Sequence, residues 1–131
     1  MNYLLDTTSF ISAIAESKEL SVPVRRLIKS NGNNIFVSAV TFWEIAWNVS
    51  EGKLDVEGVL IEDLPDISVQ VGFKNISLSP AECATYHQFG VAGQNPFEGM
   101  LIWQAIKNDL ILITKDKESA KYRSIGLKTV W

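Results

Sequence analysis

The sequence predicts an α/β domain built on a mainly parallel sheet. Three observations carry this. Short apolar runs without helical spacing occur at Tyr3-Leu4-Leu5, Ile35-Phe36-Val37 and Leu110-Ile111-Leu112-Ile113. Runs of that kind suit strands buried on both faces. Between them lie stretches with apolar residues at helical spacing, and strands that alternate with helices form parallel crossovers. No repeat, low-complexity segment or linker divides the 131 residues, so a single domain over 1–131 is expected.

Tyr3 to Leu5 is the first strand, and it stops at Asp6. Thr7, Thr8 and Ser9 follow as helix-start residues, with Phe10, Ile11 and Ile14 giving helical periodicity to about Lys18. Pro23 opens a second helix with Val24, Leu27 and Ile28 on one side and Arg25, Arg26 and Lys29 on the other; Asn31 to Asn34 ends it with turn chemistry. After the strand at Ile35 to Val37, Ser38 caps a third helix running to about Glu51. Val40, Trp43, Ala46 and Trp47 fall at helical spacing there and are expected in the core.

Lys53 to Phe73 reads as one or two short helices broken at Pro65, and Asn75 to Leu78 as a short strand. Ser79-Pro80-Ala81-Glu82 has the pattern of a capping box with proline in the first turn, which assigns Glu82 to that cap and predicts a helix to about Phe89. Gly90 to Gln94 is a loop. Asn95-Pro96-Phe97-Glu98 repeats the box and opens a helix ending near Asn108. After the strand at Leu110 to Ile113, a short helix is expected over Glu118 to Tyr122, then a turn at Gly126 and an edge strand to Trp131.

Composition narrows the function classes. At 47% hydrophobic and 21% charged residues, the chain is that of a soluble globular protein. Cys83 is the only cysteine, so an internal disulfide and zinc sites of the CxxC type are excluded, and a reducing, cytoplasmic setting fits. Cys83 and His87, four residues apart on one helix, are too few ligands to complete a zinc sphere. No apolar run is long enough for a membrane span, and no signal peptide is expected. A net charge of −3 argues against nucleic-acid binding by charge alone. It leaves open a nucleic acid held through bound cations.

Four carboxylates are expected at one edge of the sheet. Asp6 follows the first strand, Glu44 lies in the helix after the second, Glu98 starts the helix leading into the Leu110 strand, and Asp116 follows that strand. Ligands of open parallel sheets bind beyond the carboxyl ends of the strands. Each residue also has an ordinary role as a cap or a solvated helix carboxylate. Crowded carboxylates repel unless a cation joins them. With one histidine and no cysteine pair, the donors are hard oxygens, which select Mg²⁺ or Mn²⁺; Asp6 and Asp116, which close buried strands, are expected as the dominant metal ligands, with Glu98 reaching the ion through a water.

Leu4-Leu5-Asp6-Thr7, Ser38 through Glu44, Asn95-Pro96-Phe97-Glu98 with Leu101 to Ala105, and Thr114-Lys115-Asp116 resemble PIN domains, and more narrowly the VapC-type toxins of toxin–antitoxin pairs. The resemblance implies a PIN-like three-layer fold, with helices flanking a mainly parallel central sheet. It also implies metal-dependent ribonuclease activity on RNA, a homodimer, and an antitoxin partner that blocks the site. Asp6, Glu44 and Asp116 match the family's acidic positions in type, and Thr114 matches a frequent hydroxyl near the metal; Thr7 and Asn95 are expected as supporting residues. The family usually has Asp-Pro-Phe-Asp and then a basic residue, where this chain has Asn95-Pro96-Phe97-Glu98-Gly99; Thr8 stands where Asn is common. A PIN-like domain that binds RNA or protein without cutting is therefore the competing reading. A phosphoryl receiver would need an acid beside Asp6, and a haloacid-dehalogenase-like phosphatase a second Asp at Thr8; neither is present.

Lys115 and Lys117, which flank Asp116, are candidate RNA contacts, and Arg25, Arg26 and Lys29 are the densest basic cluster. Of the four tryptophans, Trp103 and Trp131 are expected at a dimer or partner surface.

Overall fold

The computed structural model describes residues 1–56, 58–89 and 95–131. Its elements in chain order are β1 (Asn2–Leu5), α1 (Thr7–Ile14), α2 (Val22–Lys29), β2 (Asn34–Ser38), α3 (Ala39–Ser50), α4 (Leu64–Gln70), β3 (Lys74–Ile76), α5 (Pro80–Thr85), α6 (Pro96–Lys107), β4 (Ile111–Ile113) and β5 (Lys128–Val130). All five strands pair in parallel in the order β3-β2-β1-β4-β5. The last strand is at an edge, as its position after a turn predicted. Leu4 lies level with Phe36 and Leu112, and Leu5 with Ile113.

Alternation along the strands divides the core into two layers. Tyr3, Leu5, Ile35, Val37 and Ile113 face one way and pack with Phe10 of α1, Val24 of α2 and Leu64 of α4. Leu4 and Leu112 face the other way and pack with Leu101, Ile102, Trp103 and Ala105 of α6 and with Phe89. Leu4 and Leu5 are both fully buried, so each contributes about 1.5–3 kcal/mol of hydrophobic burial to opposite layers. This is the expected three-layer arrangement. Among the described residues no helix is long and apolar enough to cross a membrane.

The topology creates a crevice. From β1 the chain moves outward through β2 to β3, then returns to the other side of β1 as β4. Between β1 and β4 the strand order reverses, and open parallel sheets bind ligands beyond the strand ends at such a switch point. Two bonds fasten this junction: the Asp6 N–H and the Ser9 hydroxyl both donate to the Ile113 carbonyl, at 3.1 and 3.2 Å.

Several expectations need correction. α1 stops at Ile14 rather than Lys18, where the chain reverses through Glu16 at φ 51°. Pro65 does not break a helix; it sits in the first turn of α4, behind a 3₁₀ turn at Ile61–Asp63, where its missing N–H costs nothing. α5 ends at Thr85 and tightens into a 3₁₀ turn over Tyr86–Phe89. The short helix after β4 is a 3₁₀ run over Lys117–Ile125, closed by Gly126 at φ 105°. The loop expected at Gly90 to Gln94 lies outside the described residues.

The assignments of Trp43, Trp47 and Trp103 are reversed. Trp43 and Trp47 are 57% and 46% exposed, not in the core. α3 instead turns Val40, Thr41 and Ile45 inward, with Phe42 edge-on to Phe10 at 5.6 Å. Two apolar stripes compete on this helix, and the one carrying Thr41 wins because it meets α1. Trp103, expected at a partner surface, is 7% exposed, lies against Phe89 with centroids 5.8 Å apart, and donates its indole N–H to Thr85 Oγ1 at 3.2 Å. Trp131 is half-buried against the first layer.

Candidate active site

Asp6 is placed by β1, whose buried run ends one residue earlier. Its Oδ1 accepts the Ser9 N–H at 2.8 Å, so it caps α1 while its other oxygen stays free of that bond. Thr7 is buried, and its hydroxyl donates to Glu44 Oε1 at 2.6 Å and meets Thr41 Oγ1 at 3.2 Å. One proton and two partners fix the direction: Thr7 donates to the carboxylate and accepts from Thr41. Glu44 is thereby held by a side chain from the β1 end of the sheet, although it belongs to α3. Thr114 is also buried, and its Oγ1 accepts the Asp116 N–H at 3.1 Å. Asp116 in turn accepts the Glu118 N–H at 2.9 Å.

Asp6, Thr7, Thr8, Glu44, Asn95, Glu98, Leu101, Lys115 and Asp116 line one cleft of about 380 Å³. All four carboxylates expected at the sheet edge therefore converge. Asn95 and Lys115 join them. Thr114 stands behind the cleft as the support of Asp116; Lys115 lines the cleft and Lys117 is outside its lining. Arg25, Arg26 and Lys29 line a separate groove on α2.

Asn95 caps α6, its Oδ1 accepting the Phe97 and Glu98 N–H groups at 3.0 and 3.2 Å. Glu98 makes no reciprocal bond to Asn95 among the described residues, so the second capping box is only half formed. Glu98 faces acids instead. Burial, a hydrogen bond with Asp116, and the charges of Asp116, Asp6 and Glu44 push its carboxyl up to about 7. Asp116 moves the opposite way: that bond and the Glu118 N–H hold it low against burial, and the charge of Lys121 adds a smaller lowering. The proton of the pair therefore belongs on Glu98.

Among the described residues no three His, Cys, Asp or Glu side chains form a group that would hold a metal ion by themselves. The donor set still fits a small hard cation. Mg²⁺ keeps several waters and binds through one or two carboxylates, not in an all-protein cage. The proton retained by Glu98 marks a place where positive charge is favoured among four acids.

Glu82, which the sequence assigns to a cap alone, does more. The capping box with Ser79 is complete, at 2.8 and 3.0 Å. Glu82 also accepts from Gln104 Nε2 at 3.3 Å and from Asn108 Nδ2 at 2.8 Å, tying α5 to α6. Gln104 is fully buried, bonds Ser38 Oγ and donates to the Ser77 carbonyl at 3.2 Å. Sequence reading missed this network, and also Thr41 as a support of the site. Thr41's place one turn before Glu44 was the available signal.

A family model for the PIN domain matches residues 3–124. No curated protein matches the chain. Among solved structures, the chain is similar to VapBC2 from Rickettsia felis bound to a promoter DNA fragment, at 19% identity and TM-score 0.70, covering 100% of this chain and 99% of that one. It is similar to VapBC-1 from nontypeable Haemophilus influenzae at 16% identity and TM-score 0.65, covering 99% and 97%. FitAcB from Neisseria gonorrhoeae is similar at 18% identity and TM-score 0.64, covering 100% and 97%. At these identities the likeness is one of fold.

Proposed function

We infer a function from one plain premise: the chain belongs to the PIN domain family. Our reading is a divalent-metal-dependent endoribonuclease, the toxin of a toxin–antitoxin pair. The observation that carries it is the convergence of Asp6, Glu44, Glu98 and Asp116 on one cleft at the switch point of the sheet.

Asp6, Glu98 and Asp116 would hold Mg²⁺ or Mn²⁺. When bound, the ion supplies a more acidic water and neutralises charge on the attacked phosphate. The rest is done by the chain. Asp6 and Asp116 follow buried strands and are fixed by the Ser9 and Glu118 N–H groups, so both are rigid anchors. Glu44, oriented by Thr7, is the carboxylate available to accept a proton from the attacking water. Glu98 releases its own proton as positive charge arrives. Its longer side chain, compared with Asp, suits contact through a water. Lys115, the cation among the described lining residues, would meet a phosphate. An antitoxin partner, a homodimer and a cytoplasmic setting belong to the same proposal, supported by likeness of fold to VapBC structures.

One observation favours the non-cleaving alternative. Position 99 is a buried glycine with the Tyr86 hydroxyl in the space a side chain would take, so no cation stands beside Glu98 there. Incubating the protein with RNA in Mg²⁺ and in chelator separates the readings. Cleavage that appears only with Mg²⁺ or Mn²⁺ is the expected result. Metal binding and RNA binding without cleavage would favour the alternative.

A further inference from the structure

We propose that Gln104 is a positioning residue for the carboxylate cleft: through its bond to Ser38 it holds α3 and α6, which carry Glu44 and Glu98, in one register. The proposal rests on the reading of that cleft as a metal-dependent active site and adds what keeps its two walls in place.

Gln104 and Ser38 are both fully buried. Their neighbours leave one way to place the amide. The Ser77 carbonyl and the Glu82 carboxylate can only accept, so Gln104 Nε2 faces them, at 3.2 and 3.3 Å. Oε1 is left for Ser38. The Ser38 hydroxyl already accepts the Val40 N–H at 3.0 Å, so its own proton goes to Gln104 Oε1. Both donors and the acceptor of the amide are engaged, and each bond has one direction.

Ser38 is the last residue of β2 and the N-cap of α3. Ser77 follows β3 directly. Gln104 therefore reaches from α6 to the carboxyl ends of β2 and β3, the end of the sheet at which the carboxylates gather.

Each side of the Ser38 bond leads to the cleft. One turn after Ser38, Thr41 meets the Thr7 hydroxyl, which in turn holds Glu44. One turn before Gln104, on the same face of α6, Leu101 lines the cleft, and Glu98 lies in the first turn of that helix. The Glu82 arm ends on α5, which adds nothing to the described lining, so the Ser38 arm is the one that bears on the site.

Apolar packing alone would press α3 against α6, but hydrophobic contact is non-directional and fixes no register. A methionine would fill nearly the same volume without burying an amide. A directed bond between the start of α3 and the middle of α6 sets how far one helix stands along the other. The site needs that. Mg²⁺ demands near-ideal octahedral geometry, and a misplacement of about 1 Å can slow a reaction on the order of 100-fold.

The test combines Mn²⁺ titration by calorimetry with RNA cleavage kinetics, on proteins that circular dichroism shows to be folded. Gln104→Met and Ser38→Ala should each weaken Mn²⁺ binding roughly tenfold and lower kcat at least as far, with KM for RNA unchanged. The double variant should lose no more than the worse single, because both cut the same bond. Val24→Ala, in the opposite layer of the core, is the control for lost stability: its melting temperature should fall while Mn²⁺ affinity and kcat stay at wild-type values. If Gln104→Met does not fold, Ser38→Ala decides by the same criteria. Wild-type Mn²⁺ affinity in Gln104→Met or Ser38→Ala, or an equal loss in Val24→Ala, overturns the positioning role. Mg²⁺-dependent cleavage by the wild type would in that case leave the nuclease reading standing. Mn²⁺ binding without cleavage by the wild type ends the nuclease reading, and the titrations alone then decide the positioning role. A wild type that neither binds Mn²⁺ nor cleaves RNA removes both.

Discussion

Two glutamates open two helices with the same local pattern and meet opposite fates. Ser79-Pro80-Ala81-Glu82 and Asn95-Pro96-Phe97-Glu98 both place proline in the first turn and Glu three residues after the cap. Glu82 closes its box and is then surrounded by donors: the Ser79 N–H, Gln104 and Asn108. Burial alone would raise its pKa, but these bonds together lower it below 4.5. Glu98 leaves its box open and is surrounded by acceptors; burial, the bond with Asp116 and the nearby acid charges raise it to about 7. A carboxylate among donors is a structural clamp. A carboxylate among carboxylates is stable only with a proton or a metal ion. The same four-residue device therefore becomes architecture in one place and chemistry in the other, according to what faces it.

The largest test of this contrast removes the acid cluster's anchor. Asp6→Asn keeps an N-cap, so the fold should persist. Changing a residue that only orients a metal ligand costs about 10- to 100-fold, so loss of a direct ligand should cost more than about 100-fold in Mg²⁺-dependent cleavage. Retained cleavage with an unchanged metal requirement would refute the assignment.

Next comes the paired substitution. Gln serves in a capping box nearly as well as Glu. Glu82→Gln nevertheless turns an N–H toward the Asn108 or Gln104 donors, and should lower stability by about 1–3 kcal/mol with metal affinity unchanged. Glu98→Gln should leave thermal stability unchanged or slightly higher, because repulsion falls, while severely lowering metal affinity and cleavage. Glu98→Asp should preserve or raise activity. Calorimetric melts and metal titrations of all three variants would break the comparison if Glu98→Gln behaved like Glu82→Gln.

Acid and base limbs of stability should separate the two residues again. In chelator, Glu98 has a folded pKa raised from 4.5 to about 7. Its contribution is fully present below 4.5 and is lost as pH rises through 7. Glu82 has a lowered folded pKa, so its contribution is present above 4.5 and is lost as pH falls through the folded value. Melts against pH should show the upper limb flattened by Glu98→Gln and the lower limb flattened by Glu82→Gln. Excess Mg²⁺ should restore the upper limb in wild type only.

The smallest effect concerns Gly99. A Cβ there would lie 2.1 Å from the Tyr86 hydroxyl, which is buried without a partner among the described residues. Gly99→Ala should destabilise the protein. Tyr86→Phe should stabilise it by about 1 kcal/mol, since an unsatisfied buried hydroxyl costs about that much. The double variant should be more stable than the sum of the loss from Gly99→Ala and the gain from Tyr86→Phe; simple additivity in denaturant melts would contradict the clash.

How much of this was legible differs by residue. Asp6 and Asp116 were readable because each ends a run that must be buried, and a strand end is a fixed place. Glu44 was readable only as a carboxylate in the helix after the second strand; Thr7, far away in sequence, is what orients it. Trp43 and Trp47 were misread because α3 carries two apolar stripes, and spacing cannot rank them. Trp103 was misread because its partners Phe89 and Thr85 come from another element.

By itself the sequence determined the strands, the helix starts and the edge of the sheet where acids gather. These follow from local rules: consecutive aliphatics bury both faces of a strand, and a short polar side chain satisfies the first free N–H groups of a helix. Only the tertiary structure decided what each polar side chain faces. Glu82 met donors and Glu98 met acids because α5 and α6 arrive at different neighbours, and the free energy of a carboxylate is set by those neighbours, not by its own four-residue frame.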